Sequence, residues 1–438
     1  MTATEETRPI ANIDELVDHF RRAAKPKSSL RVGVEHEKIG VLADGCVPDF
    51  DRIEALLLEM AKGGWSDVRE AGRLIALGSK KCGTMTLEPG GQIEHSGAPW
   101  PTAGEAIADN DKHLDQLNPL AEKAGITFLA IGFRPFGTLD DVPWMPKGRY
   151  RVMRAYLGAR DTHGHEMMKR TATVQANLDF TDEADAMDKL RVSLSLSSLV
   201  TALFAASPIV DGKITDFQSY RARAWLNTDP DRCGLLPFAF AKQASFRDYV
   251  EWALDVPMFF IYRSGEYRSL DQVTFRQFLH NGLGDERATR ADWELHLTTL
   301  FPEARLKKVV ELRQADAGSR AMVRALPALW AGVLYDADAR RAAWSLVQKA
   351  TFDERLALSQ SVPVRGLKAL LGRRSIGPLC SELVQICKAG FGRLGGDVAL
   401  LAPLENIVRE GRTQADVIRE TFVAAAGDPQ KFTTALRL

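Results

Sequence analysis

Polar and apolar side chains alternate with period two in four separate stretches, and the polar members are mostly carboxylates and amides. In residues 31–40 this parity puts Glu35 and Glu37 on one face of a strand, on the order of 7 Å apart. In residues 87–97, Gln92, Glu94 and Ser96 share one face while Ile93 turns to the other. Residues 173–180 line up Gln175, Asn177 and Asp179, and residues 306–313 put Glu311 beside Arg313. Helical periodicity fills the space between them. Ile13, Leu16, Val17 and Phe20 make one apolar face behind an Asn12 cap, Thr102 caps a helix running to about Lys123, and residues 183–206 form a long buried helix. Residues 126–133 and 258–262 read as further strands, residues 135–146 with their three prolines as a loop, and the chain up to Leu77 is weakly patterned after the first strand. From Met322 onward the pattern is almost wholly helical. Strands confined to the first three-quarters, with helices inserted and a helical tail, predict an α+β chain. Residues 1–320 form the catalytic body, and residues 321–438 form a helical part packed on it.

An ordinary solvated sheet face interleaves lysine and threonine, because like charges directly opposite one another are destabilising. If the four strands are neighbours, Glu35, Glu37, Glu88, Glu94 and Glu311 converge. Such a cluster either holds protons at raised pKa or binds hard divalent cations. Oxygen-only donors favour magnesium, or manganese, over zinc. The turn Pro89-Gly90-Gly91 separates Glu88 from Glu94 and re-aims both, since proline removes a backbone donor and glycine tolerates positive φ or close approach. The competing reading of that stretch alone is a plain hairpin with an acidic edge.

Charge and composition exclude several classes. Lysine plus arginine and aspartate plus glutamate both total 57 in 438 residues, so nothing calls for nucleic acid or an acidic membrane surface. The most hydrophobic run, residues 194–206, is interrupted by Ser195, Ser197, Ser198 and Thr201 and is a buried helix rather than a membrane span. Residues 1–10 are polar and acidic, with no apolar signal region. The five cysteines are scattered, and Cys380 and Cys387 lie two helical turns apart, a packing spacing rather than a disulfide. A reducing compartment, the cytoplasm, is the expectation.

The segments VGVEHEKIG, LEPGGQIEHSGAP, MPKGRYRVM, TATVQANLDF and VELRQAD resemble signature blocks of the plant-type glutamate–cysteine ligases, a group also found in proteobacteria. The likeness continues in order through LVTALFAASPIVDGK, YRARAWLNTDPDRCGLLPF, WALDVPMFF, TFRQFL, DWELHLTTLFPEARLK and LPALWAGVLYD, over roughly residues 12 to 420. The resemblance implies a glutamine synthetase-like fold, in which a curved, mostly antiparallel sheet forms a funnel for metals and nucleotide. It implies ATP, magnesium, L-glutamate and L-cysteine as ligands, and a γ-glutamyl phosphate intermediate on the way to γ-glutamylcysteine, the first step of glutathione synthesis. By matching motifs, Glu35, Glu37, Glu88, Glu94, Gln175 and Glu311 would be metal ligands, with Glu35 and Arg313 acting in catalysis and Arg313 meeting the transferred phosphoryl group. Arg149 and Arg221 would recognise the glutamate α-carboxylate, Arg223 being the main competitor of Arg221, and Met258 and Phe259 would wall the cysteine pocket. Core packing is the competing reading for those last two. Glutathione is a candidate feedback inhibitor, and a monomer or homodimer is expected. The cysteines through which plant members are tuned are replaced, with Ile107 at one place and no cysteine between Cys233 and Cys380, so little change of activity on mild oxidation is expected. Two other functions compete: a superfamily ligase for a different amine, and a non-catalytic binding protein. Against the second, idle carboxylates have no reason to stay close together.

Overall fold

Nine antiparallel strands carry all four alternating stretches: β1 (Val32–Val41), β2 (Ser66–Glu70), β3 (Arg73–Ser79), β4 (Gly83–Leu87), β5 (Ile93–Ser96), β6 (Thr127–Leu129), β7 (Thr173–Leu178), β8 (Ala304–Leu306) and β9 (Val310–Asp316). The computed structural model describes residues 8–160, 162–270 and 272–438, so most of the polar N-terminal stretch lies outside the described residues. The sheet order is β8-β9-β7-β1-β5-β4-β3-β2, with β6 paired to the far end of β1. Strands distant in sequence are therefore neighbours, as the convergence of the carboxylates requires.

One face of the sheet is closed by helices. Val34, Val174, Ala176, Leu178 and Leu312 pack with the helices Glu183–Leu203 and Arg320–Leu334 in one apolar cluster. The helix Glu183–Leu203 is buried on nearly every side after its first turn. It stops short of the expected residue 206 because the Asp316 carboxylate captures the Ala206 N–H at 2.9 Å and the Ser207 hydroxyl at 2.6 Å. The expected strand over residues 126–133 shrinks to β6 for a similar reason: Ala130 N–H donates to Leu436 and Gly132 N–H to Ala206 instead of a neighbouring strand. The weakly patterned region contains a regular helix, Phe50–Ala61, capped by Asp49 and burying Ile53, Leu56, Leu57 and Met60, followed by the β2–β3 hairpin.

The C-terminal part is helical apart from a short pairing of Leu370–Leu371 with Arg374–Ser375. Cys380 and Cys387 are buried on one helix, and all five cysteines are free. No helix among the described residues is long and apolar enough to cross a membrane. The expected α+β class is observed, as a large antiparallel sheet with inserted helices and a helical C-terminal part.

Candidate active site

The open face of the sheet forms the floor of a cavity of about 510 Å³, within the usual range for ligand sites. Register decides what meets there. Glu37 sits directly opposite Glu94, which faces Thr86 in turn, and Glu35 lies between Gln175 and Ser96. Along β1, Glu35 and Glu37 are partly open while His36 and Lys38 are fully buried on the opposite face. Single hydrogen bonds orient the carboxylates: Asn177 Nδ2 donates to Glu35 at 2.7 Å, the Thr173 N–H to Glu37 at 3.0 Å, and Thr86 Oγ1 to Glu94 at 3.1 Å.

The Pro-Gly-Gly turn between Glu88 and Glu94 is locked from below. A side chain at Gly90 would place its Cβ 2.0 Å from the Lys169 carbonyl oxygen, and Gly91 has φ +83°. Gln92 clasps the turn to the neighbouring segment, donating to the Met168 and Thr171 carbonyls at 3.3 and 2.8 Å while accepting from Gly90 N–H at 3.0 Å. Gln92→Ala strands these buried groups and is expected to cost about 1–3 kcal/mol, read as a lower urea midpoint. An unchanged midpoint would mean that other contacts hold the turn.

Two cationic walls flank the acidic floor. On one side Lys147 and Arg149, at the start of the helix Gly148–Gly158, line the cavity. Lys147 donates to the Leu87 carbonyl at 2.8 Å, and burial lowers its pKa. On the other side stand Arg305, Lys307 and Arg313. A β-bulge puts Arg313 and Gln314 together opposite the single residue Gln175, aiming the Arg313 guanidinium at the Gln175 amide oxygen (3.0 Å) and Glu311 (2.5 Å).

Glu311 stands apart from the other carboxylates. It is fully buried and gripped by Arg305 (2.7 and 3.0 Å), Lys307 (2.9 Å) and Arg313. Burial opposes its ionisation, but the three cations outweigh that and hold the carboxyl well below the usual range. Its charge is thus already matched by three cations.

The remaining carboxylates have no such compensation. Burial and the nearby Glu311 and Glu94 charges push Glu35 up to about 8, and burial with neighbouring carboxylates also raises Glu37 and Glu94. Glu35, Glu37, Glu88 and Glu94, with the Gln175 amide oxygen, form an oxygen-only donor set that a hard cation would neutralise. Among the described residues no three His, Cys, Asp or Glu side chains are already drawn together as a metal cage.

Other expected residues fall elsewhere. Met258 and Phe259 are each only 1% exposed. Met258 belongs to the main core and Phe259 lies under the Arg232 guanidinium, so neither walls the cavity. Arg221 is buried beside the cavity, bracing the bulge by donating to the Arg313 and Gln314 carbonyls at 2.8 and 3.4 Å, and Arg223 does not line the cavity. Lys147, Arg305, Lys307, Trp225 and Glu303 were not singled out from the sequence; the runs PKGR and EARLKK were the available signal for all of them but Trp225.

Comparison with known proteins agrees with this architecture. The chain is 41% identical over 426 residues to the chloroplastic glutamate–cysteine ligase of Brassica juncea, covering 96% of this chain and 82% of that protein. The chloroplastic enzyme of Medicago truncatula is also 41% identical, with 96% and 84% covered. A crystal structure of the glutamate–cysteine ligase from Francisella tularensis in complex with AMP shares the fold, with a TM-score of 0.56 at 13% identity over 93% of this chain and 87% of that one. The chloroplastic location of the plant relatives overturns the cytoplasmic expectation. Free cysteines mark a reducing compartment, which does not single out the cytoplasm. A family model described as glutamate–cysteine ligase family 2 matches residues 31–435, and with the identity to the plant enzymes it establishes that this chain belongs to that family.

Proposed function

We propose that this protein joins the γ-carboxylate of L-glutamate to the amine of L-cysteine at the expense of ATP, forming γ-glutamylcysteine through γ-glutamyl phosphate. The observation that carries the reading is the uncompensated acidic floor between two cationic walls. A free carboxylate resists attack by an amine until one of its oxygens becomes a leaving group, and phosphorylation by ATP achieves that. The charge developing on the transferred phosphoryl group then needs fixed positive partners in a site shielded from water. Glu35, Glu37, Glu88, Glu94 and the Gln175 amide oxygen would hold magnesium, which would supply positive charge to offset that of the nucleotide.

The protein's own groups supply the rest. Arg313, held by Glu311 and Gln175, directs its remaining N–H groups at the phosphoryl oxygens. Arg305 and Lys307 keep Glu311 from drawing Arg313 away. Arg149 meets the glutamate α-carboxylate: its side chain makes one long contact, to Thr298 at 3.4 Å, and its Nε is buried without a partner. A planar guanidinium with unused donors suits a carboxylate bidentately.

The test is magnesium-dependent ADP release from ATP and glutamate with cysteine, alanine, 2-aminobutyrate or ammonia as acceptor. Stimulation chiefly by cysteine, with γ-glutamylcysteine found by mass spectrometry, is expected. Turnover chiefly with another amine would reassign the acceptor, and no turnover with any would refute the ligase reading.

A further inference from the structure

Beside the cavity lies a recess of about 20 Å³, room for one water-sized group, and Trp225, Phe301 and Arg313 line both spaces. Glu303 stands on its wall with Arg221, Cys233 and Gln314. The backbone of Glu303 is pinned: its N–H donates to the Gly234 carbonyl at 2.9 Å, and its carbonyl accepts from the Arg313 N–H at 3.2 Å and from Gln314 Nε2 at 2.6 Å. The side chain is not. Among the described residues no cation comes within 4.0 Å of its carboxylate. Of the two guanidiniums whose charges reach it, Arg221 is tied to the Arg313 and Gln314 carbonyls, and Arg313 is held at Glu311 and Gln175 through one nitrogen. Burial raises the proton affinity of Glu303, and the two guanidiniums only partly offset it. An unpaired, half-buried carboxylate is costly to keep, which argues for a use.

We infer that Glu303 is a catalytic residue, the base that takes the proton from the incoming amine; this rests on the ligase reading above. The recess is too small for an amino acid but fits an ammonium group reaching in from the cavity. One ammonium N–H bond breaks and its proton passes to a Glu303 oxygen. The freed lone pair forms the new N–C bond at the γ-carbonyl of the acyl phosphate. The bond from that carbon to the phosphate oxygen breaks, and its electron pair leaves with the phosphate, which also carries off the second proton that the nitrogen sheds in becoming an amide. Glu303 then returns its proton to solvent.

The experiment compares cysteine with hydroxylamine, an amine that is largely unprotonated at neutral pH and needs no base, in wild type and Glu303→Gln. The variant is expected to lose about 100-fold or more of its turnover with cysteine while forming γ-glutamyl hydroxamate within a few-fold of the wild-type rate. Equal losses with both acceptors, or unimpaired cysteine turnover, would overturn the assignment. Should glutamine at 303 prevent folding, Glu303→Asp carries the same comparison: the shortened carboxylate must slow cysteine more than hydroxylamine, and equal slowing refutes the role. Wild type that releases ADP with neither acceptor would overturn the ligase reading itself, whereas hydroxamate formation by the variant upholds it whatever happens with cysteine.

Discussion

Arg313→Lys is expected to lower turnover about 100- to 1,000-fold while moving the melting temperature by only a few degrees. The guanidinium satisfies Glu311 and Gln175 through one nitrogen and lies 5.3 Å from the Trp225 ring centroid and 5.7 Å from that of Phe301, which leaves its other donors free and their direction fixed. A lysine ammonium is a single flexible point charge that can pair with Glu311 but cannot hold that fork while doing so. Stability is spared because Glu311 retains Arg305 and Lys307, so no buried charge is orphaned. Steady-state kinetics and thermal melts on the same preparation separate the two effects. Near-normal turnover would remove Arg313 from phosphoryl transfer, and a collapse of the fold would make it a structural cation.

What was legible in the sequence follows from the range of the forces involved. The parity of Glu35 with Glu37, and of Gln175 with Asn177, was readable because alternation is local. That these strands adjoin was not readable from periodicity, since pairing joins residues more than a hundred positions apart, such as Glu35 and Gln175. The bulge that aims Arg313 depends on the same long-range kind of pairing, whereas Arg305 meets Glu311 across the local β8–β9 hairpin, six residues away. His36 and Lys38 sit where periodicity expects apolar residues. They are buried nonetheless, with Lys38 donating to the His36 carbonyl at 2.6 Å and its amine brought down to about 7 by burial. The helix Phe50–Ala61 did leave a local signal, an Asp49 cap and Ile53, Leu56, Leu57 and Met60 at helical spacing. It was hidden by the charged and glycine-rich residues that follow. Met258 and Phe259 could not be placed for the opposite reason, because an apolar pair looks alike whether it lines a pocket or fills a core.

Glu37→Gln is expected to impair catalysis and, in magnesium-free protein near pH 8, to raise stability. Glu37 faces Glu94 across the ladder and lies near Glu88, an arrangement of like charges that a sheet selected for stability alone would avoid. Burial raises the pKa of Glu37, and those two carboxylates raise it further. For Glu35 the folded value reaches about 8 against an ordinary 4.5. Between those values the folded protein holds a proton that the unfolded chain has released, so unfolding gains as pH rises; stability falls from about 4.5 to about 8 and is flat beyond. Raised carboxylates thus destabilise the fold at neutral and alkaline pH, the reverse of a salt-bridged acid. Neutralising Glu37 removes one of these charges while its amide oxygen can still accept the Thr173 N–H. The gain in chelator-treated protein should be about 0.5–2 kcal/mol at pH 8 and should shrink toward pH 5, as the raised carboxyls of the folded protein take up protons. Magnesium reverses the order, because it stabilises the wild type by binding the folded state and has one carboxylate fewer to bind in the variant. Turnover at fixed magnesium should fall about 100-fold or more. Thermal melts at pH 5 and pH 8, with chelator and with magnesium, check all four corners. A variant that is less stable than wild type at pH 8 without metal would show that Glu37 is held ionised by partners, and one with undiminished magnesium stabilisation would remove it from the ligand set.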